Sequence, residues 1–468
     1  MIRRLRRLAA LCLAAGLAAA AASGAAARDF AAMVVMGPEG AATARVETDA
    51  PACPAIRIDG HARRMQLRAG PAELPLRATA STPALSKPSA FPVRVCEASL
   101  PRGARRIAVA GRALPAPKPV VRRIVVIGDT GCRLKAADQA YQACDDPAQY
   151  PFARTAARAA AWKPDLVLHV GDYLYRENPC AGGRPACVGS PWGYGWDAWK
   201  ADFFTPARPL LAAAPWIAVR GNHEDCARAG QGWWRLIDPR PLVPGRDCVD
   251  PANDLANDDG APYDVPLGGG AQVVVLDMTT APNQPLAADD PRHAQYASDY
   301  DALAAFAKRA PYTFVTLHKP ILGFAATMKK DGPELKPNTL GIQSVFAAQT
   351  PDLLPPGVGV ILSGHIHLWQ QLSFGGARPS QFIAGFSGTQ EDIVPFPKAL
   401  PPGASAGPGA VVEAFSSWIN GFGYMTLERR AADRWAVKVW NLDGQVVNRC
   451  EIEGRRSHCD EPQVDSRP

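Results

Sequence analysis

The chain has 468 residues, 47% hydrophobic and 20% charged, so it can bury a core and is neither a disordered nor a fibrous chain. The 51 Lys and Arg residues outnumber the 44 Asp and Glu residues, which gives a formal charge of +7, and the cysteine count of 11 is odd. The length suggests two or three domains, or one large domain with a small one.

The first residues have the layout of a secretory signal peptide. Four arginines within residues 3–7 precede an alanine-rich apolar stretch and a small-residue site at Ala25–Ala27. A transmembrane anchor fits less well because small alanines fill the stretch. We therefore predict that residues 1–27 are removed on export and that the protein is periplasmic or extracellular.

Removal of the predicted signal peptide changes both the net charge and the cysteine count. The mature chain keeps 47 Lys and Arg residues against 44 Asp and Glu residues, a balance of +3, and it loses Cys12. This balance gives no support for nucleic-acid binding. Because no later apolar run reaches 18 residues, we predict no membrane anchor in the mature chain. The sequence leaves the oligomeric state open.

The ten remaining cysteines are an even set, which indicates disulfides in an oxidising compartment. The chain has no CxxC pair, so zinc ribbons and thioredoxin-like redox motifs are not indicated. Nearest-neighbour pairing encloses the shortest loops, although the sequence leaves other pairings open. That pattern is Cys53–Cys96, Cys132–Cys144, Cys180–Cys187, Cys226–Cys248 and Cys450–Cys459.

Residues 28–119 contain short β-like runs separated by Pro, Ser and Gly residues. These runs cover residues 57–60, 64–69, 91–98 and 105–111. With one expected disulfide, they predict a small β-rich N-terminal domain. The proline-punctuated segment 114–119 predicts a stiff linker to the main domain.

From residue 120 the pattern changes to apolar, β-branched strands that each end in a turn containing Gly or His. The expected strands are 122–128, 165–171, 215–221, 271–277, 313–318, 357–364 and 380–386. The expected helices are 154–163 and 300–310, and a β-hairpin is expected over 421–430 and 434–444. Alternation of strands and helices predicts an α/β main domain over residues 120–459. We expect residues 460–468 to be a flexible tail.

Polar side chains follow five of these strands. They are Asp129, Asp172 and Tyr175, Asn222 and His223, His318, and His365 and His367. Ligands bind at the carboxyl ends of strands in open α/β sheets, so we expect these residues to converge. Oxygen and imidazole donors without thiolates suit Fe, Mn or Zn, and the number of donors favours two ions over one. Any one of these motifs alone would be typical of an ordinary turn.

The five motifs together resemble those of calcineurin-like metallophosphoesterases, in particular the purple acid phosphatase branch. In order, they are GDTG, GDYLY, GNHE, VTLH and GHIH. Most of that superfamily carries a histidine where this chain has Gly131, and the purple branch carries a tyrosine where this chain has Tyr175. The resemblance covers roughly residues 120–445. It implies an α/β (α+β) sandwich of two β-sheets flanked by helices.

The resemblance also implies a role for each motif residue. A ferric site would take Asp129, Asp172, Tyr175 and His367, and a divalent site for Fe, Zn or Mn would take Asp172, Asn222, His318 and His365. Asp172 would bridge the two ions, and a metal-bound hydroxide would attack phosphorus in line. His223 would hydrogen-bond to phosphate and donate a proton to the leaving oxygen.

The sequence therefore predicts an exported enzyme that hydrolyses small phosphate monoesters. A phosphodiesterase or nucleotide hydrolase on the same metal core is the alternative, because the loops decide between them. A third hypothesis, a non-catalytic metal-binding protein, is less favoured because all five motifs are complete. One departure concerns the histidines that follow the VxxH motif in plant and animal members. This chain has none there, and we expect Lys329 or Lys330 to supply positive charge instead.

Overall fold

The computed structural model describes residues 30–460 except 183, 393, 395–399 and 420. The predicted signal peptide and residues 461–468 of the predicted tail lie outside these residues. Two large β-sheets of 11 and seven strands face each other at the centre of the fold.

Ten strands precede residue 115. They are β1 (Phe30–Met36), β2 (Ala42–Thr48), β3 (Ala55–Ile58), β4 (His61–Arg64), β5 (Gln66–Ala69), β6 (Ala72–Leu74), β7 (Ser89–Phe91), β8 (Arg94–Leu100), β9 (Ile107–Val109) and β10 (Arg112–Leu114). The predicted β-rich character of this region is confirmed, and alternate burial along β3 shows why: Ile56 and Ile58 face the core while Ala55 and Arg57 are exposed.

Eighteen further strands follow. They are β11 (Arg123–Ile127), β12 (Leu134–Lys135), β13 (Ala140–Tyr141), β14 (Leu166–His169), β15 (Trp216–Ala218), β16 (Asp259–Gly268), β17 (Ala271–Met278), β18 (Tyr312–Thr316), β19 (Phe324–Lys329), β20 (Gly332–Pro337), β21 (Val358–Ser363), β22 (Trp369–Phe374), β23 (Ser380–Ala384), β24 (Val412–Trp418), β25 (Gly423–Arg429), β26 (Arg434–Asn441), β27 (Val446–Glu453) and β28 (Arg456–Cys459). The seven strands predicted in the main domain and the predicted hairpin are all present, because buried β-branched runs favour strands.

The 11-stranded sheet joins the N-terminal region to the main domain. Its order is β28-β27-β26-β25-β11-β14-β15-β1-β2-β8-β5. β1 pairs in parallel with β15 through Val35 and Trp216, so strands from both sides of residue 119 share one sheet. The division of the chain into domains at this residue stays a prediction.

Helices cover the outer faces of both large sheets. They are α1 (Phe152–Ala161), α2 (Trp196–Trp199), α3 (Arg208–Leu211), α4 (Gly230–Gly232), α5 (Asp254–Asn257), α6 (Pro291–Ala307) and α7 (Leu340–Gln349). One buried apolar cluster lies between the sheets, a second packs α1 to α3 on the 11-stranded sheet, and a third packs α6 and α7 on the seven-stranded sheet. The predicted sandwich with flanking helices is therefore confirmed.

Five disulfides join the ten described cysteines. Their pairing is the nearest-neighbour pattern that the sequence suggested, which is thereby confirmed. Each links segments that are close in sequence, the widest separation being 43 residues between Cys53 and Cys96. Within the described ranges, no helix is long and apolar enough to cross a membrane.

Glu47 on β2 is fully buried, and neither carboxylate oxygen has a hydrogen-bond partner among the described residues. Burial raises the pKa of Glu47 to about 8, against the opposing effect of Arg45. Because the folded chain retains this proton while the unfolded chain releases it, stability falls as pH rises from about 4.5 to about 8. Glu47→Gln should remove that loss and raise the melting temperature at pH 8.5 by roughly 3–6 °C, with little change at pH 4.5.

The matched control is Glu73→Gln, which changes an exposed carboxylate of the same region. We expect its melting temperature to follow the wild type at both pH values. An equal gain for both variants would contradict the role assigned to Glu47.

Candidate metal centre

The carboxyl ends of five strands meet at one edge of the two sheets. β11, β14 and β15 are parallel neighbours in the 11-stranded sheet, and β18 and β21 are parallel neighbours in the other. The predicted residues follow these strands directly. The structure brings all eight of them into one cluster, as the contacts below show.

Three of the predicted residues adopt left-handed backbone conformations. Asp129, Asp172 and His365 have φ values of 54°, 59° and 73°. Such conformations cost non-glycine residues on the order of 1 kcal/mol or more and persist only where the surroundings enforce them. Because all three residues follow strands that end at the same cluster, these backbone conformations indicate that the fold holds their side chains in fixed directions there.

Tyr175 lies at the centre of one half of the cluster. Its Oη is 2.9 Å from Asp129 Oδ1, 2.6 Å from Asp172 Oδ2 and 2.8 Å from His367 Nε2. His367 Nε2 is itself 3.4 Å from Asp129 Oδ1, and its Nδ1 lies 2.8 Å from the Gln390 carbonyl oxygen. Four oxygen and nitrogen donors therefore converge on one point.

Asp172 also belongs to the other half. Its Oδ2 is 3.1 Å from His318 Nε2, which lies 3.1 Å from Asn222 Oδ1. Ligand atoms of Asp172, His318 and His365 all lie within 4.8 Å of one another. The His318 Nδ1 is 2.9 Å from the Val170 carbonyl oxygen, which leaves Nε2 directed at the cluster.

Burial and close charges govern protonation in the cluster. Burial disfavours the Asp172 carboxylate, but His318, His223 and the Tyr175 hydrogen bond hold its pKa well below the usual range. Burial also disfavours charged His318, yet Asp172 raises the His318 pKa to about 9. Burial, together with Asp129 and Asp172, raises the pKa of Tyr175 well above its usual value. The cluster therefore concentrates negative charge, and His318 is the positive group in direct contact with Asp172.

Two buried carboxylates fix the loop that carries Asp172 and Tyr175. Glu224 accepts backbone N–H groups of Gly221, Asp172, Tyr173 and Leu174 at 2.8–3.1 Å. Burial and nearby Asp172 raise the pKa of Glu224 to about 8. Glu224 therefore orients the backbone of this loop.

Asp202 is the second of these carboxylates and is completely buried. It accepts the backbone N–H groups of Cys132, Tyr175 and Arg176 and the Arg176 Nε–H. The sequence does not single out Asp202, because this residue lies within an aromatic run, residues 191–204, whose pattern is typical of a core helix. That run is indeed buried against the outer face of the sheet.

His223 contacts a carboxylate that the sequence analysis also missed. Its Nδ1 is 2.6 Å from Glu177 Oε1, and its Nε2 is 4.0 Å from Asp172 Oδ2. Tyr194 donates to Glu177 Oε2 at 3.1 Å, and Arg228 Nε lies 3.8 Å from the same oxygen. Burial lowers the pKa of His223, while Asp172 and Glu177 oppose that shift. The sequence gives one indication of a role for Glu177, which is that this residue lies two positions after Tyr175.

The lysines suggested by the sequence lie at the turn of the β19–β20 hairpin, and their role stays a prediction. Lys329 is 57% exposed and pairs with Glu334 at 3.7 Å, and Lys330 is exposed in the adjoining turn. Lys319 is close enough to the cluster for its charge to act on Asp172 and His365. Burial lowers the pKa of Lys319 to about 8, and its Nζ donates to the Ala281 carbonyl oxygen at 2.6 Å.

A cavity of about 370 Å³ adjoins the cluster. Ile366, which separates His365 from His367, forms part of its wall, together with Arg133 and Asp392. Asp392 Oδ2 accepts the His367 backbone N–H at 3.0 Å, so the cavity and the cluster share a wall.

Comparisons with known proteins agree with this architecture. A family model described as calcineurin-like phosphoesterase matches residues 122–368. In fold, the chain is similar to purple acid phosphatase PPD1 from yellow lupin (Lupinus luteus) seeds, with a TM-score of 0.56, 12% identity, and coverage of 93% of this chain and 76% of that chain. It is also similar to PhoD, with a TM-score of 0.50, 11% identity and coverage of 92% of each chain. No curated protein matches it in sequence.

Gly131 occupies a position with no room for a side chain. A Cβ there would lie 2.7 Å from the Tyr175 backbone nitrogen, 2.8 Å from Asp202 Oδ2 and 2.8 Å from the Tyr173 carbonyl oxygen. Gly131→Ala should therefore displace the Tyr175 loop and lower stability by roughly 1–3 kcal/mol. The measurement is the denaturation midpoint, with Gly70→Ala as control because a Cβ there meets nothing within 4 Å. Equal midpoints for the two variants would contradict this reading of the loop.

Proposed function

The chain belongs to the calcineurin-like phosphoesterase family, and on that premise we propose that it is an exported, binuclear metal-dependent phosphatase of small phosphate monoesters. One observation carries the proposal. The buried Tyr175 Oη lies within 2.9 Å of two carboxylates and one imidazole, in a cluster that uses oxygen and nitrogen donors. Such a set suits hard or borderline metal ions.

Two overlapping sets of donors would hold the ions. One set is Asp129, Asp172, Tyr175 and His367, and the other is Asp172, Asn222, His318 and His365. Asp172 fits the bridging position because its Oδ2 lies 2.6 Å from Tyr175 Oη and 3.1 Å from His318 Nε2. When bound, the ions would supply Lewis acidity to phosphoryl oxygens and lower the pKa of a coordinated water.

We assign Fe(III) to the set that contains Tyr175 and a divalent Fe, Zn or Mn ion to the other. The surroundings of Tyr175 favour the neutral phenol, since burial and two carboxylates raise its pKa. A cation of high charge is therefore needed to stabilise phenolate, which supports a trivalent ion. The second set has a single carboxylate, two imidazoles and an amide, a combination that suits a divalent ion.

We assign to His223 the donation of a proton to the leaving alcohol. Its Nδ1 contacts Glu177, which Tyr194 holds from the other side, so the ring is oriented with Nε2 facing the Asp172 side of the cluster. The protonated ring can release a proton from Nε2 while Glu177 stabilises the remaining N–H. Glu177 is therefore a positioning residue in this scheme.

The charges around the cluster support a monoester as substrate. Lys319 and Arg228 both act electrostatically on Asp172 from outside the proposed ligand set. A monoester carries up to two negative charges near neutral pH, whereas a diester carries one. Two nearby cations therefore favour the monoester. Five disulfides suit export to an oxidising compartment.

Metal analysis together with two substrates tests the proposal. We expect about two metal ions per chain, one of them iron, and a kcat/KM on p-nitrophenyl phosphate at least tenfold above that on bis-p-nitrophenyl phosphate. The reverse ratio would identify a diesterase on the same core. Less than one ion per chain with hydrolysis of neither substrate would identify a non-catalytic protein.

Absorption in the visible range tests the tyrosine assignment separately. The oxidised protein should show a tyrosinate-to-iron band that Tyr175→Phe abolishes, and Asp172→Ala should lose both ions because it serves both sets. A Tyr175→Phe variant that keeps the colour, or an Asp172→Ala variant with full metal content, would refute the respective assignment.

Glu177→Gln tests the orientation of His223. Losing the carboxylate should lower kcat roughly 10- to 100-fold, and more for phenyl phosphate than for p-nitrophenyl phosphate, because a poor leaving group needs the proton. Tyr194→Phe keeps the contact between His223 and Glu177 and should lose less than about threefold. An equal loss on both substrates would show that Glu177 acts only on structure.

A further inference from the structure

Charge is distributed unevenly along the chain. Residues 30–119 contain 13 Lys and Arg residues against six Asp and Glu residues, a balance of +7, whereas residues 120–460 contain 32 against 35, a balance of −3. The near-neutral total of the mature chain therefore conceals a basic N-terminal region attached to a slightly acidic main domain.

Five exposed arginines, on β3, β4 and the loop that follows β8, define what we call the arginine face. They are Arg57, Arg64, Arg102, Arg105 and Arg106. The Asp59 carboxylate, in the turn between β3 and β4, accepts the backbone N–H groups of Arg105 and Arg106 at 2.9–3.4 Å and so joins the loop to these strands. Arg63 is not part of this face, because it pairs with Ile56 on the core side of the sheet and donates to the Ser99 carbonyl oxygen.

The guanidinium groups of the arginine face form no ion pair within the part of the chain that the structure describes. Arg57 and Arg102 direct their side chains to the carbonyl oxygens of Gly60 and Glu39, at 2.9 Å and 3.1 Å. The Asp59 carboxylate offsets part of the charge of Arg105 and Arg106, which leaves the face with a net positive charge. The buried Arg45 differs, since it is 3.0 Å from Glu97.

Small side chains let a flat partner approach this face. In the sheet of β10, β9, β3 and β4, Ala55 pairs with Arg64 and Arg57 pairs with both Ala62 and Ala108, so alanines and arginines share the side opposite the core isoleucines. Leu67 adds an apolar side chain to this surface. It is 57% exposed and lines a groove that Arg64 also lines.

We propose that the arginine face binds the surface of an anionic phospholipid bilayer. Five arginines match closely spaced phosphate head groups, and an exposed leucine beside them can enter the interface while arginine stems remain at head-group level. A nucleic acid fits less well, because the large hydrophobic side chains exposed among the described residues are aliphatic and offer no platform for base stacking. The inference does not depend on the phosphatase proposal.

Sedimentation with lipid vesicles tests the proposal. The wild-type chain should bind vesicles of 30% phosphatidylglycerol in phosphatidylcholine, should not bind pure phosphatidylcholine, and should be released by high salt. Arg64, Arg105 and Arg106 donate no side-chain hydrogen bond within the described residues, so their joint replacement by Gln should leave the fold intact. At roughly fivefold per charge, this variant should lose about 100-fold in partition coefficient.

The matched control replaces Arg430, Arg434 and Arg449 by Gln, which removes the same charge from the main domain. It should bind within about twofold of wild type, and the triple Lys variant at positions 64, 105 and 106 should also bind. The wild type and all variants share the same residues 1–29, so any binding to vesicles by that segment is equal among them. Unchanged melting temperatures and circular dichroism spectra show that the variants are folded.

Three results would overturn the proposal. One is the absence of wild-type binding to the anionic vesicles, and another is an equal loss for the arginine-face and control variants. The third is displacement from the vesicles by a short DNA duplex at equal phosphate concentration, which would assign the arginine face to nucleic acid instead. Failure of the phosphatase proposal would leave all three measurements unaffected.

Discussion

The arrangement of the candidate site depends on one buried carboxylate. Asp172 is 1% exposed, and its Oδ2 lies near both Tyr175 Oη and His318 Nε2, while its Oδ1 accepts the His223 backbone N–H at 2.9 Å. Residues that follow three strands, β14, β15 and β18, and that come from both sheets therefore contact the same side chain. An isolated charge at this depth would be unstable, so the surrounding donors and His318 are required for Asp172 to remain ionised.

The loop that presents Asp172 is held through its backbone rather than its side chains. Glu224 and Asp202 between them accept N–H groups from Gly221, from Cys132 and from the stretch 172–176. Satisfying the amides in this way leaves the side chains of Asp172 and Tyr175 free to face the cluster. The same loop leaves no space for a side chain at Gly131. A side chain at position 131 would therefore require the backbone of this loop and Asp202 to move.

Much of this could be predicted from sequence, because strands that are buried on both faces have a distinct composition and parallel strands place their ends together. That reasoning located the strands before Asp129, Asp172 and His318 and the convergence of their side chains. It failed for β1 and β2, whose residues insert next to β15 from a distant part of the chain. Sequence neighbours carry no information about such a pairing.

Supporting residues were missed for a related reason. Glu177, Asp202 and Lys319 lie in no motif, and each acts through a contact that only the folded chain creates. Asp202 in particular lies between aromatic residues whose pattern predicts packing alone. The identity of the first donors at a site is thus more readable from sequence than the groups that orient them.

Net charge is another property for which the sequence alone is not sufficient, because the total does not show where the charges lie. The balance of +3 after removal of the predicted signal peptide argues against a polyanionic partner only if charge is spread evenly over the surface. The fold instead places the excess on the sheet formed by β3, β4, β9 and β10 and on the loop that follows β8, while carboxylates accumulate in the main domain around the candidate site. The acidic cluster suits cations and the basic region suits anions, so a near-neutral total is compatible with both surfaces in one molecule.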